Sequence, residues 1–234
     1  MNTTKTMALT RWKRVLDCTL ILVSLPFLVP LVLVIVFIIK RKSAGPVLFQ
    51  QKRLGYHGES FMCLKFRTMH CGAETVSHQG HLQQLITSNA PMTKLDNSGD
   101  SRIIPLGKIL RSSGLDELPQ LVNILKGEMS LVGPRPCVPY EAEKYLPWQN
   151  ERFNAAPGLT GLWQVSGKNR TTFTRMIQLD IEYAQKKSLW LDFKIIFLTV
   201  PTLLVQVWGA RQKKKAQNCV GAAGAAMSVR ATHN

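Results

Sequence analysis

The chain opens with a pattern that fits neither an amphipathic helix nor an alternating strand. From Cys18 to Ile39 no residue is charged, and Leu, Val and Ile dominate. As one helix these 22 residues reach roughly 33 Å, enough to span a bilayer. Both flanks are basic, with Arg11, Lys13 and Arg14 before the run and Lys40, Arg41 and Lys42 after it. The positive-inside bias draws both ends to the cytoplasmic face, which a simple span cannot satisfy. Pro26 and Pro30 each remove a backbone donor and disfavour helix at the preceding residue, so a bend at Val29-Pro30 would return the chain to the face it entered. The pattern predicts a re-entrant membrane helix over 13–42. A plain transmembrane anchor, a secretory signal and a buried core helix are the alternatives; no small-residue cleavage site follows the run, which counts against the signal.

Gly45-Pro46 ends that helix, and alternation over Val47 to Met69 predicts a small β-hairpin turning at Gly55-Tyr56-His57-Gly58. Period two puts Phe61, Cys63, Lys65 and Arg67 on one face and Met62, Leu64 and Phe66 on the other. Residues 71–101 lack steady periodicity and predict a mobile loop with a short helix at Leu82 to Ile86. Helical spacing resumes at Pro105 to Arg111, Asp116 to Lys126, Pro139 to Asn154 and Thr172 to Lys187. Leu189 to Trp208 is apolar but carries Asp192 and Lys194, which predicts an amphipathic interfacial helix, with core packing as the alternative. The expected architecture is α+β and mostly helical: an N-terminal tail (1–12), the membrane helix (13–42), a cytosolic domain (43–208) and a basic, disordered tail (209–234) touching anionic lipid.

Composition narrows the partners. An apolar share of 45% in 234 residues is enough for one core. Thirty Lys and Arg against 14 Asp and Glu, a net +16, call for an anionic partner: nucleic acid, lipid head groups or a phosphorylated substrate. Nucleic acid is disfavoured, because no reading motif is present and aromatics do not interleave with the basic residues as stacking platforms would. Five cysteines without paired spacing and five scattered histidines suggest neither a disulfide framework nor a transition-metal site.

The chemistry concentrates in Arg111-Ser-Ser-Gly-Leu-Asp116-Glu117-Leu-Pro119 and the apolar stripe after it. Pro119 belongs in a first turn, so the helix is expected to start near Asp116, with both carboxylates at its positive end. Helix capping alone explains two such acids. Lys65, Arg67, Arg111 and Arg135 are more cation than caps require, and a phosphate-handling site needs that mixture. Gly133-Pro134-Arg135-Pro136 holds a guanidinium on a stiff turn, suited to bidentate phosphate contact. Gly158, Gly161 and Gly167 precede Lys168 in a loop whose glycines would let backbone approach a ligand.

Four motifs in order carry a specific resemblance: Lys65-Phe-Arg67-Thr-Met69, Arg111 to Leu121 around Asp116-Glu117, Leu125 to Pro136, and Pro157 to Asn169. Over about Arg11 to Leu204 the chain resembles the bacterial sugar transferases, the monotopic phosphoglycosyl transferases. The resemblance implies transfer of a hexose-1-phosphate from a UDP-sugar to polyprenyl (undecaprenyl) phosphate at the cytoplasmic face of the inner membrane. Asp116 would attack the β-phosphorus, expelling UMP and holding the phosphosugar covalently, while Glu117 would hold Mg2+. Lys65, Arg67 and Arg111 would contact phosphates, and Arg135 and Pro136 would shape the phosphate turn. Lys168 stands where the family usually has arginine, which keeps the charge and loses the fork. The family often breaks its membrane helix at Ser-Pro; here the break residues are Pro30 and Ser24, not adjacent. Sugar identity and homo-oligomerisation are not legible.

Overall fold

The computed structural model describes residues 10–70, 76–88, 90–92, 102–104, 106–205 and 207–209. Most of the 1–12 tail, much of the 71–101 loop and residues 210–234 lie outside these. The described chain is mostly helical, with two two-stranded sheets.

Helix α1 runs over Arg11–Lys42 with Pro26 and Pro30 inside it. Its two ends are buried and its middle is bare. Lys13, Asp17 and Ile21 face the protein near the start, Ile35 and Ile39 near the end, while Leu22, Val23, Phe27, Val29, Leu33 and Val34 between them are exposed. Pro26 leaves the Leu22 carbonyl without its helical donor. Ser24 does not compensate, because its hydroxyl donates instead to the Ile21 carbonyl at 2.8 Å.

The hairpin forms where alternation predicts it. Strands β1 (Leu48–Leu54) and β2 (Ser60–Phe66) pair antiparallel, with Gln50 opposite Leu64. A 3-10 turn at Tyr56–Gly58 joins them, with His57 at φ 52°. Both faces of β2 find apolar partners: Cys63 clusters with Ile21, Ile124 and Met129, and Phe66 with Ile35, Ile39, Ile104 and Leu110.

Helix α2 (Val76–Ser88) extends well beyond the predicted short segment. Helix α3 (Gly107–Ser113) ends on Gly114 at φ 74°, the left-handed conformation glycine adopts without strain. Helix α4 (Gln120–Lys126) closes on Gly127 with two capping bonds, Gly127 N to Ile124 O and Glu128 N to Asn123 O. Strand β3 (Ser130–Val132) lies parallel to β4 (Gly158–Thr160). The long helix expected over Pro139 to Asn154 is instead one turn, α5 (Pro139–Ala142), and a 3-10 run, Pro147–Asn154. Pro147 is the physical reason: it cannot donate into a continuing helix. After the single turn α6 (Leu162–Val165), helix α7 (Phe173–Lys186) starts at Thr172, whose hydroxyl accepts from Arg175 N.

Helix α8, Leu189–Gly209, is the second helix long and apolar enough to cross a membrane. Asp192 and Ile195 are buried against the body, whereas Trp190, Phe193, Phe197, Val200, Leu204 and Trp208 are exposed. That bare stripe follows the 3.6-residue period and has no protein partner among the described residues. A buried polar knot ties α8 to α1 and α7: Lys13 Nζ lies 2.5 Å from Asp192 Oδ2 and 2.8 Å from the Tyr183 hydroxyl, which sits 3.0 Å from the Val132 carbonyl. Burial beside Asp192 holds the Tyr183 phenol far above its ordinary range.

Candidate active site

Between α3 and α4 the chain winds in three-residue turns. Glu117 N bonds Gly114 O and Leu118 N bonds Leu115 O, making the 3-10 turn Leu115–Glu117. Pro119, not Asp116, takes the N-cap position of α4. The expected helix start is thus corrected by four residues, because a proline at 119 breaks the backbone bonding that would have joined the two segments. Both carboxylates stand on a turn between helices rather than on the end of one.

Glu117 faces the hairpin. Its Oε1 accepts from Lys65 Nζ at 2.7 Å, with the lysine side chain 23% and the glutamate side chain 37% exposed. Burial raises the carboxyl's pKa, but the Lys65 charge and hydrogen bond, with Lys168 and Arg135 further off, outweigh it and hold Glu117 at about 2. Asp116 is its half-buried sequence neighbour. The structure therefore gathers Glu117, Lys65, Arg135 and Lys168 into one electrostatic neighbourhood. Arg111, in the last turn of α3, reaches Thr68 Oγ1 at 3.4 Å.

Arg67 is placed differently from the sequence expectation. The strand ends at Phe66, and the buried guanidinium of Arg67 donates to the carbonyls of Ala44 at 2.5 Å and Ser43 at 3.0 Å. Carbonyls left open past the end of α1 are strong acceptors for a cation, so Arg67 anchors the exit of that helix.

The Gly133-Pro134-Arg135-Pro136 turn is clamped from behind by two arginines that sequence reading missed. Arg53 Nη1 donates to the Pro136 carbonyl at 3.0 Å, and Arg152 Nη2 to the Arg135 carbonyl at 2.8 Å. Pro136 is buried within the turn. Arg152 also pairs with Asp180 Oδ2 at 2.5 Å and lies 3.5 Å from Glu141 Oε1, and the other Glu141 oxygen lies 3.9 Å from Arg135 Nη1. No local signal marks Arg53 or Arg152 as braces, since the turn carbonyls they bind lie 83 and 17 residues away in sequence.

The glycines serve a purpose other than ligand approach. A Cβ on Gly158 would lie 2.0 Å from Gly133 N, and one on Gly161 2.1 Å from Gly133 O. Two backbones interlock there, closed by Gly158 N to Pro134 O and Gly133 N to Thr160 O. Gly167 at φ 113° leads into Lys168 at φ 40°, a conformation costing a lysine roughly 1–2 kcal/mol. Thr171 holds it, its hydroxyl donating to the Lys168 carbonyl at 2.8 Å and accepting from Trp163 Nε1 at 2.6 Å. Strain of this kind is retained where side-chain aim matters. Burial pushes the free thiols of Cys63 and Cys137 up, away from nucleophilic use.

The acid pair thus stands beside cations, with Lys65 in contact with Glu117 and the charges of Arg135 and Lys168 acting on it. The model of the bacterial sugar transferase family matches residues 8–206, and the chain belongs to that family. It is 38% identical to the exopolysaccharide production protein ExoY of Sinorhizobium fredii over 196 residues, 82% of this chain and 84% of that one. It is 42% identical to the UDP-glucose:undecaprenyl-phosphate glucose-1-phosphate transferase of Caulobacter vibrioides over 200 residues, covering 82% and 69%. Against the galactosyl transferase CpsE of Streptococcus agalactiae it is 43% identical over 166 residues, covering 70% of this chain but only 36% of that longer protein.

Proposed function

We propose that the chain transfers a hexose-1-phosphate from a UDP-sugar to undecaprenyl phosphate, releasing UMP, as the first membrane step of exopolysaccharide, O-antigen or related glycan assembly. The observation that carries the reading is Glu117, next to Asp116 in the chain, held against Lys65 with the charges of Lys168 and Arg135 acting on it. An Asp116 oxygen attacks the donor β-phosphorus, and the bond from that phosphorus to the bridging oxygen breaks as UMP departs. The phosphosugar stays on Asp116 as an acyl phosphate. A phosphate oxygen of the polyprenyl acceptor then attacks the same phosphorus and returns the Asp116 carboxylate. Lys65, Arg111, Arg135 and Lys168 offset charge on the diphosphate, and the rigid Pro-flanked turn aims Arg135.

No three His, Cys, Asp or Glu side chains converge on one metal position among the described residues. That suits Mg2+, which binds through one or two carboxylates and substrate phosphates rather than an all-protein cage. Glu117, ionised down to about pH 2, would hold it, and the ion would neutralise phosphate charge.

The basic residues at both ends of α1 support membrane seating with the body on the cytoplasmic face of the inner membrane. A straight α1 would separate Ile21 and Ile39 by about 27 Å. Their clusters hold Cys63 and Phe66 of one strand, about 10 Å apart, which supports a re-entrant bend at Pro26 and Pro30. The bare apolar stripe of α8 lies on the same molecule with Leu203 3.5 Å from a Cβ at Gly114, which brings lipid-facing surface beside the acid pair.

The test is trapping. Full-length protein in detergent, given a UDP-sugar labelled at the β-phosphate, is expected to retain label after denaturation, and Asp116→Asn to retain none, with UMP release reduced about 10,000-fold or more. Equal labelling of the two proteins rejects Asp116 as nucleophile. Chelation of Mg2+ is expected to stop release reversibly.

A further inference from the structure

Among the described residues, strand β2 pairs with β1 on one edge and with no strand on the other. Along the other edge lies α4, and there the fully buried carboxamide of Asn123 meets the strand backbone. Its Oδ1 accepts from Leu64 N at 3.0 Å, and its Nδ2 donates to the Met62 carbonyl at 2.8 Å. Residues two apart present backbone groups to the same edge of an antiparallel strand. One side chain thus does at two points what a third strand would do, on an edge that would otherwise bury unpaired polar groups.

The remaining amide hydrogen is also engaged. Asn123 Nδ2 lies 2.6 Å from Glu128 Oε2, and Glu128 N in turn bonds the Asn123 carbonyl at 3.0 Å. The carboxamide is therefore fixed in orientation by the same turn that ends α4. A helix docked by two directional bonds to a strand edge has one register. Sliding it by a single strand position moves it about 3.3 Å. The 2.7 Å contact between Lys65, one residue beyond Leu64, and Glu117, on the turn that leads into α4, would not survive that displacement.

We propose that Asn123 is a positioning residue, whose carboxamide sets the register of α4 on β2 and thereby holds the Asp116-Glu117 pair against Lys65. The kinetic part of this inference rests on the transfer reaction proposed above; the structural part does not. Four full-length proteins decide it: wild type, Asn123→Ala, Lys65→Met and the double variant. Melting needs no substrate. The loss of melting temperature caused by Lys65→Met is expected to shrink by at least half in the Asn123→Ala background, because the contact it removes is already displaced. Additive losses overturn the proposal, even if the wild type were to release no UMP from any donor, an outcome that would sink the functional reading separately.

In the active enzyme, Asn123→Ala is expected to lower kcat about tenfold or more with donor KM within about threefold, and the kcat losses of the two single variants are expected not to multiply. Asn123→Asp keeps the acceptor for Leu64 but sets a carboxylate beside Glu128, and Glu128→Gln in that background is expected to recover part of kcat. A fall in activity that only tracks the unfolded fraction, or losses that multiply, overturns the positioning role.

Discussion

Two sets of cations meet around the Gly133–Pro136 turn and differ in exposure. Lys65 and Arg135 keep side-chain exposures of 23% and 30%; Lys65 binds Glu117, and the Arg135 charge acts on it. Arg53 and Arg152, at 6% and 1%, are sealed behind the turn, each giving one donor to a carbonyl of the turn and the others to side chains: Gln51 for Arg53, and Asp180, Glu141 and Tyr145 for Arg152. The open set can exchange its partners for a diphosphate; the sealed set cannot without leaving buried groups unpaired. A cation's role in this chain therefore depends on whether its acceptors are buried protein groups or replaceable solvent and substrate.

Substitutions can break that contrast. The largest effect is expected at Arg152: replacement by Met strands Asp180 as a buried acid and takes one partner from Glu141, which should cost about 3–5 kcal/mol, read as a collapse of melting temperature. An unchanged melt would show that the sealed pairs are dispensable. Arg135→Met should reverse the pattern, leaving the melt within about 0.5 kcal/mol and lowering kcat/KM about 100- to 1,000-fold. Gly158→Ala drives a methyl into the backbone of Gly133 and should destabilise by about 1–3 kcal/mol. Wild-type stability there would mean the two loops part easily.

The smallest effect is a pH dependence. Lys65 holds Glu117 at about 2, below its ordinary 4.5, so the pair's contribution is complete above pH 4.5 and is lost as pH falls through 2. The difference in melting temperature between wild type and Lys65→Met should shrink across that window. A constant difference would uncouple the two groups.

Much of the architecture was legible because it depends on local pattern. Alternation gave the hairpin and its glycine turn, Thr172 marked the start of α7, and an uncharged run between basic flanks marked the lipid-length helix. The acid pair was legible because adjacent carboxylates before a proline and an apolar stripe are unusual on any ground but capping or chemistry. The helix over Pro139 to Asn154 was misread, since apolar spacing does not distinguish α from 3-10 winding when a proline interrupts it.

Local order along the chain thus determined which segments are helical, where the chain turns and which residues carry charge, since φ/ψ preference and side-chain period act over a few neighbours. Only the tertiary structure decided that Arg67 anchors the end of α1, that Arg53 and Arg152 brace the turn, that Gly133, Gly158 and Gly161 interlock, and that Asn123 completes the edge of β2. Each of those depends on an acceptor or a backbone brought from 17 to 83 residues away. Charge, hydrogen-bonding capacity and small size are properties of a residue, but their use is fixed by what the fold puts within about 3 Å of it.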